Sequence, residues 1–381
     1  METRNTKVKV KDKELVILQP QPTHLPSPLL SLRFNDILLK EMIKYFSLKD
    51  QISLSKTCQY FQGLFKANLN KLAFEQLLQA ILDDDRGTVK RILDAKPELL
   101  QQVPEKDLVI ESKLTWQRFH AEKPLKMALE RRQLEMVKIL LPYFETLKNG
   151  KEEALAQWKV REVSEQEKAQ YALKMKVLID VIAKETFSNG TQQDRLIDRI
   201  SEETRAALEA HRKELLPDVA ITLNNYVDVE EFLAAGYTVY HDHFNVFQNW
   251  NQCDLYCVAV LGFSQGVQSP ELGKVFCESL YDVVEENKPI SARSAALKLA
   301  DNETSFYRST RASLTGLGFD HLIGARRGGL PARGPGRGGL AGASGVLKNY
   351  VEQKQMSLAG FRQSLSQEIG HDTSPRNKAL A

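Results

Sequence analysis

The run Gly262-Phe263-Ser264-Gln265-Gly266 sets a serine between two glycines in the G-x-S-x-G spacing, directly after the apolar stretch Leu255 to Leu261. On a strand followed by a sharp turn, that spacing lifts a hydroxyl into position to attack an acyl group. Such chemistry needs a parallel sheet beneath it. Here the upstream segments read as helices, and Pro270 interrupts the helix that should follow Ser264. Serine hydrolysis at Gly262 to Gly266 is therefore the remote alternative: Ser264 is read as structural, no catalytic residue is assigned, and the protein is read as not an enzyme.

His241-x-His243 precedes Cys253 and Cys257, so four potential zinc donors fall within a short stretch. The spacing is not that of a zinc finger, and cysteines four apart on a helix share one face, which points to core packing. The expectation is no metal and no cofactor. A third candidate is GARRGGLPARGPGRGGLAGASG, residues 324–345, whose Arg326, Arg327, Arg333 and Arg337 suit phosphate contact. Without aromatic residues it lacks the stacking groups of a single-strand binder. It reads as a solvated, disordered linker.

These residues must be positioned by elements that the rest of the chain supplies. Its 381 residues suffice for two or three domains, and 42% hydrophobic content is ordinary for globular proteins. The 52 basic and 49 acidic residues are spread along the chain and leave a formal charge of +3, so no global field favours nucleic acid. The start Met-Glu-Thr-Arg-Asn lacks the apolar core of a secretory signal, and Cys58, Cys253, Cys257 and Cys277 are read as reduced thiols. No apolar run approaches the roughly 20 residues needed to cross a bilayer, so no membrane span is expected.

From about Phe34 to Phe187 apolar residues recur at threes and fours with few glycines, which predicts consecutive short helices and a mainly α fold. Within it, FNDILLKEMIKYFSLKDQISLSKTCQYF reads as a helical hairpin with Asp50 at the cap of its second helix. Two such short helices cannot bury both apolar faces against each other, which leaves apolar surface for a partner.

That stretch resembles an F-box without a gap. Leu38, Leu39, Tyr45, Asp50, Leu54, Ser55, Cys58 and Phe61 match the family pattern, and Met42, Ile43 and Phe46 are similar replacements. Phe34-Asn35 stand where the family has Leu-Pro, Ile37 replaces its acidic residue, Gln51 a leucine and Thr57 a valine. The resemblance implies docking on the Skp-type adaptor subunit of a cullin-RING ubiquitin ligase. Phe34, Asn35, Ile37, Leu38, Met42, Ile43, Phe46, Asp50, Leu54, Cys58 and Phe61 would carry that contact.

Leu77 to Leu93 matches Leu125 to Leu141 without gaps, 48 residues on. Leu77/Leu125, Ala80/Ala128, Val89/Val137, Lys90/Lys138 and Leu93/Leu141 are identical. The second copy, KPLKMALERRQLEMVKILL, resembles the ankyrin consensus, with Arg132 and Gln133 where that family makes a glycine turn. The spacing exceeds the family period of about 33 residues, so an insertion is expected between Leu99 and His120. Trp116, Phe119 and His120 within it are the candidate target-binding residues, because stacked repeats present their connections along one face; packing beneath a long loop is the competing role. The helix Ala169 to Ile182 or the F-box-like hairpin is expected to cap the pairs into one continuous block.

The expected organisation is a flexible arm (1–28), an F-box-like module (29–66), divergent ankyrin-type pairs (67–187) and a charged helical spacer (188–223). A separate C-terminal helical domain (224–323), the Gly/Arg/Pro linker (324–345), and an amphipathic helix with a polar tail (346–381) complete it. The domain order resembles the F-box/ankyrin effectors that Legionella-type intracellular bacteria inject into host cells. That resemblance implies a substrate-recruiting ligase adaptor with an unidentified host target, moved from bacterial to host cytoplasm by type IV secretion. A ligase-independent scaffold or inhibitor is the alternative.

Overall fold

The computed structural model describes residues 53, 55–57, 59–187, 196–222, 226–278, 280–290 and 337–372. The chain divides into two units, Met1–Leu69 and Asn70–Ala381. The expected arm and the F-box-like stretch before Ser53 lie outside the described residues, as do Leu54 and Cys58. The second unit is mainly α, as expected, with one two-stranded antiparallel hairpin.

Helix α1 (Gln59–Leu82) turns at residues 83–85 into α2 (Arg86–Ala95), whose N-cap Asp85 accepts the Thr88 amide. A 3-10 turn (Pro97–Gln101) and the hairpin β1 (Val109–Glu111) and β2 (Arg118–His120) follow. They fill the insertion that the repeat spacing requires. Then α3 (Pro124–Glu130), opened by proline at a position that needs no amide, turns into α4 (Leu134–Glu145).

The two helix pairs share the backbone hydrogen bonds of their corners at the 48-residue spacing read from the sequence. Asp85 donates its amide to the Ala80 carbonyl and Gln133 to that of Ala128, while Val89 donates to Asp85 and Val137 to Gln133. Leu77, Ala80 and Val89 are buried, and so are Leu125, Ala128 and Val137. The corner survives without glycine, because Asp84 and Arg132 themselves adopt left-handed φ values of 49° and 50°. For a residue with a Cβ that conformation costs about 1 kcal/mol.

Two cores result. The first gathers α1 to α4 with Ala154 and Trp158 around α5 (Gly150–Gln157), and is completed by Ile221 and Leu358. The second is built from α6 (Glu165–Ile182), α7 (Glu202–Leu215), α8 (Val229–His243), α9 (Trp250–Tyr256), a π-helical stretch (Cys257–Leu261), α10 (Gly262–Gly266), α11 (Pro270–Glu278) and α12 (Leu280–Glu285). Local signals start these helices: a Ser164/Glu167 capping box for α6, and Ser201, Asp228 and Asn249 as N-caps for α7, α8 and α9. The long helix α13 (Arg337–Asp372) runs across both cores.

Several boundaries differ from the expected ones. The helix ending at Ile182 does not cap the repeats; Tyr171, Met175, Leu178 and Ile179 turn into the second core. Leu358 of α13 and Ala154 of α5 close the first core instead. The charged spacer is a core helix, since α7 buries Leu208, His211 and Leu215 on one face and leaves its charges on the other. Residues 224–290 are not a separate domain, because their apolar side chains share one core with α6, α7 and the Leu347–Val351 turn of α13. Residues 337–345, expected as linker, are helical and belong to the same helix as Val346 and the residues after it. Residues 324–336 lie outside the described residues.

Candidate interaction site

Ser264 sits inside a helical run, not on a strand-to-helix turn, and is fully buried. Its hydroxyl donates to the Val260 carbonyl one turn back at 2.8 Å, and its oxygen lies 3.5 Å from His211 Nε2. His211 is itself enclosed, stacked on Phe232 and edge-on to Phe263, and burial pushes its imidazole down to about 4. The serine and histidine therefore meet in a closed apolar interior. The Ser264 hydroxyl is engaged by a carbonyl of its own helical run and has no exposed surface.

Cys253 and Cys257 share one face as their spacing dictates, buried against Tyr240, and burial pushes the Cys253 thiol up to about 11. His241 instead meets its neighbour Asp242, and His243 hydrogen-bonds the Val239 carbonyl. Among the described residues no group of three or more His, Cys, Asp or Glu side chains is placed to hold a metal ion.

Of the candidate ligase-contacting residues, Phe61 alone falls in a described helix, and its side chain lies outside the described set. The candidate target-binding residues are all described. Trp116 occupies the hairpin turn with φ 61° and packs half-buried on the second core. Phe119 is buried with the Arg131 guanidinium 4.6 Å above its ring, and pairs in parallel with Ile221. His120 lines a cavity of about 60 Å³ together with Leu82, Met127, Glu130, Arg131 and Tyr226. Burial raises the Glu130 carboxyl there to about 7. Gln117 binds the Leu215 carbonyl and Arg118 that of Asp218, so the hairpin is stitched to the end of α7. These residues come together as an internal brace between the cores.

The most concentrated chemistry is a seam of buried charge between the cores. Arg86 makes a forked pair with Asp84 (3.0 and 3.1 Å), and Lys274 of α11 reaches the same carboxylate at 2.6 Å and the Asp84 carbonyl at 3.0 Å. Next along, the Glu271 carboxylate accepts the Leu134 and Glu135 amides at the start of α4, and lies 3.5 Å from Lys354 of α13. Lys354 in turn donates to Glu230 at 2.7 Å. Arg132 closes the row on Asp228 at 2.7 Å, while Asp228 also caps α8.

Four buried cations thus face four buried carboxylates, with Glu231 a further 3.7 Å from Arg132 at the edge, in a setting where an unmatched charge would be prohibitive. Burial, partly offset by Lys354, raises the Glu271 carboxyl to about 7; burial, partly offset by Arg132, raises Asp228 to about 6. Removing one partner of such a pair leaves an uncompensated buried charge, which is strongly destabilising. The seam was missed in the sequence because each member reads singly as a solvated charge. A signal was present in Lys354, which interrupts the apolar stripe Leu347, Tyr350, Val351 and Leu358.

No family model, no curated protein and no solved structure matches this chain.

Proposed function

We propose that the protein is a substrate-recruiting adaptor of a cullin-RING ubiquitin ligase. Its F-box-like stretch would bind the Skp-type adaptor subunit, and its larger helical unit would hold a target protein. The observation that carries this reading is the division of the chain at Leu69/Asn70, which assigns residues 34–61 and the repeated helix pairs to different units. The interior placement of Ser264 and of Cys253 and Cys257 supports a role in binding over one in bond chemistry. An adaptor acts by raising the concentration of a target near a ubiquitin-loaded subunit. On this reading it works in a host cytoplasm after type IV secretion.

The test is a pull-down from purified components with the Skp-type subunit. Phe34→Leu with Asn35→Pro restores the family's Leu-Pro just before the first expected helix, where proline is tolerated. The double variant should bind at least as tightly as the natural chain, and deletion of residues 34–61 should abolish binding. Equal recovery with and without those residues would leave a ligase-independent scaffold in place of the adaptor.

A further inference from the structure

We draw no further inference here: the strongest candidate, the cavity of about 60 Å³ between β2 and α3 lined by His120, Glu122, Glu130 and Tyr226, belongs to the site already described, and with Lys126 already 3.7 Å from the Glu130 carboxylate nothing in the structure shows what would fill it.

Discussion

Asp84 and Arg132 occupy the same left-handed corner of two successive helix pairs, 48 residues apart, and carry opposite charges into the same seam. Each is held by a residue of opposite sign from the C-terminal half, Asp84 by Lys274 and Arg132 by Asp228. A glycine would relax either corner, since φ near +50° is free of steric cost only without a Cβ. The side chains offset that cost by matching the corners to their partners, so the positions where the repeat departs from glycine are the ones that attach it to the rest of the protein.

Replacing Asp84 separates these two effects. Asp84→Gly relieves the backbone but leaves both Lys274 and Arg86 without the carboxylate they share, and breaking one side of a buried pair costs about 3–5 kcal/mol. Urea unfolding should show a loss of that order. Adding Lys274→Met removes one of the two stranded charges, leaving Arg86, and should recover part of it. A double variant no more stable than Asp84→Gly alone would show that the pair matters through something other than charge burial.

How legible this was in the sequence follows from what each signal depends on. Apolar spacing marked the helices and the repeat, because Leu77, Leu125, Val89 and Val137 face a core through a period set by backbone geometry. Caps at Ser164, Ser201 and Asp228 act within a few residues and are also readable. Which core a helix joins is decided by residues far away in the chain, so α6 was assigned to the repeats and α7 to a spacer. The seam was the least legible part. Lys274 and Asp84 are 190 residues apart, and nothing local distinguishes a buried lysine from a solvated one. The chain before Ser53, which carries the F-box-like pattern, lies outside the described residues.

Glu271 makes stability depend on pH in a definite direction. Burial raises its carboxyl from the ordinary 4.5 to about 7, so between those values the folded protein holds a proton that the unfolded chain has released. The stability it contributes is present below about 4.5 and is lost as pH rises through 7. Asp228, raised from 3.8 to about 6, acts in the same sense over a lower window. Glu271→Gln keeps an acceptor for one of the two α4 amides and removes the titration. Relative to the natural chain its melting temperature should therefore rise between pH 5 and pH 8, by at most about 1.4 kcal/mol of stability per pH unit. A difference that stays constant across that range would remove Glu271 as the source.

Ser264→Ala tests the reading of the G-x-S-x-G run. The hydroxyl donates to a carbonyl one turn back that also lies 3.4 Å from His211, so little is stranded when it is removed. The expected loss is about 1 kcal/mol or less. Hydrolysis of activated esters by the purified protein should be the same before and after. An activity abolished by this change and retained in a Ser269→Ala control would restore the hydrolase alternative.

At Gly236 helix α8 packs tightly against its neighbours. A methyl group there would lie 2.8 Å from Leu261 Cδ2 and 3.0 Å from Met175 Cε, at the point where the π-helical stretch ends against α6. Tyr256 also donates to the Gly236 carbonyl at 3.2 Å, which limits how far α8 can move away. Gly236→Ala should therefore destabilise by about 1–3 kcal/mol despite alanine's better helix propensity. The contacted atoms are ends of side chains, and methionine adapts more readily than leucine. Met175→Ala opens space on one side at the cost of a cavity, so the double variant Met175→Ala/Gly236→Ala should lose less than the two single losses added, with a coupling of about 0.5–3 kcal/mol. Strict additivity in chemical denaturation would mean that Leu261 alone sets the spacing, and Leu261→Ala would then be the substitution that rescues Gly236→Ala.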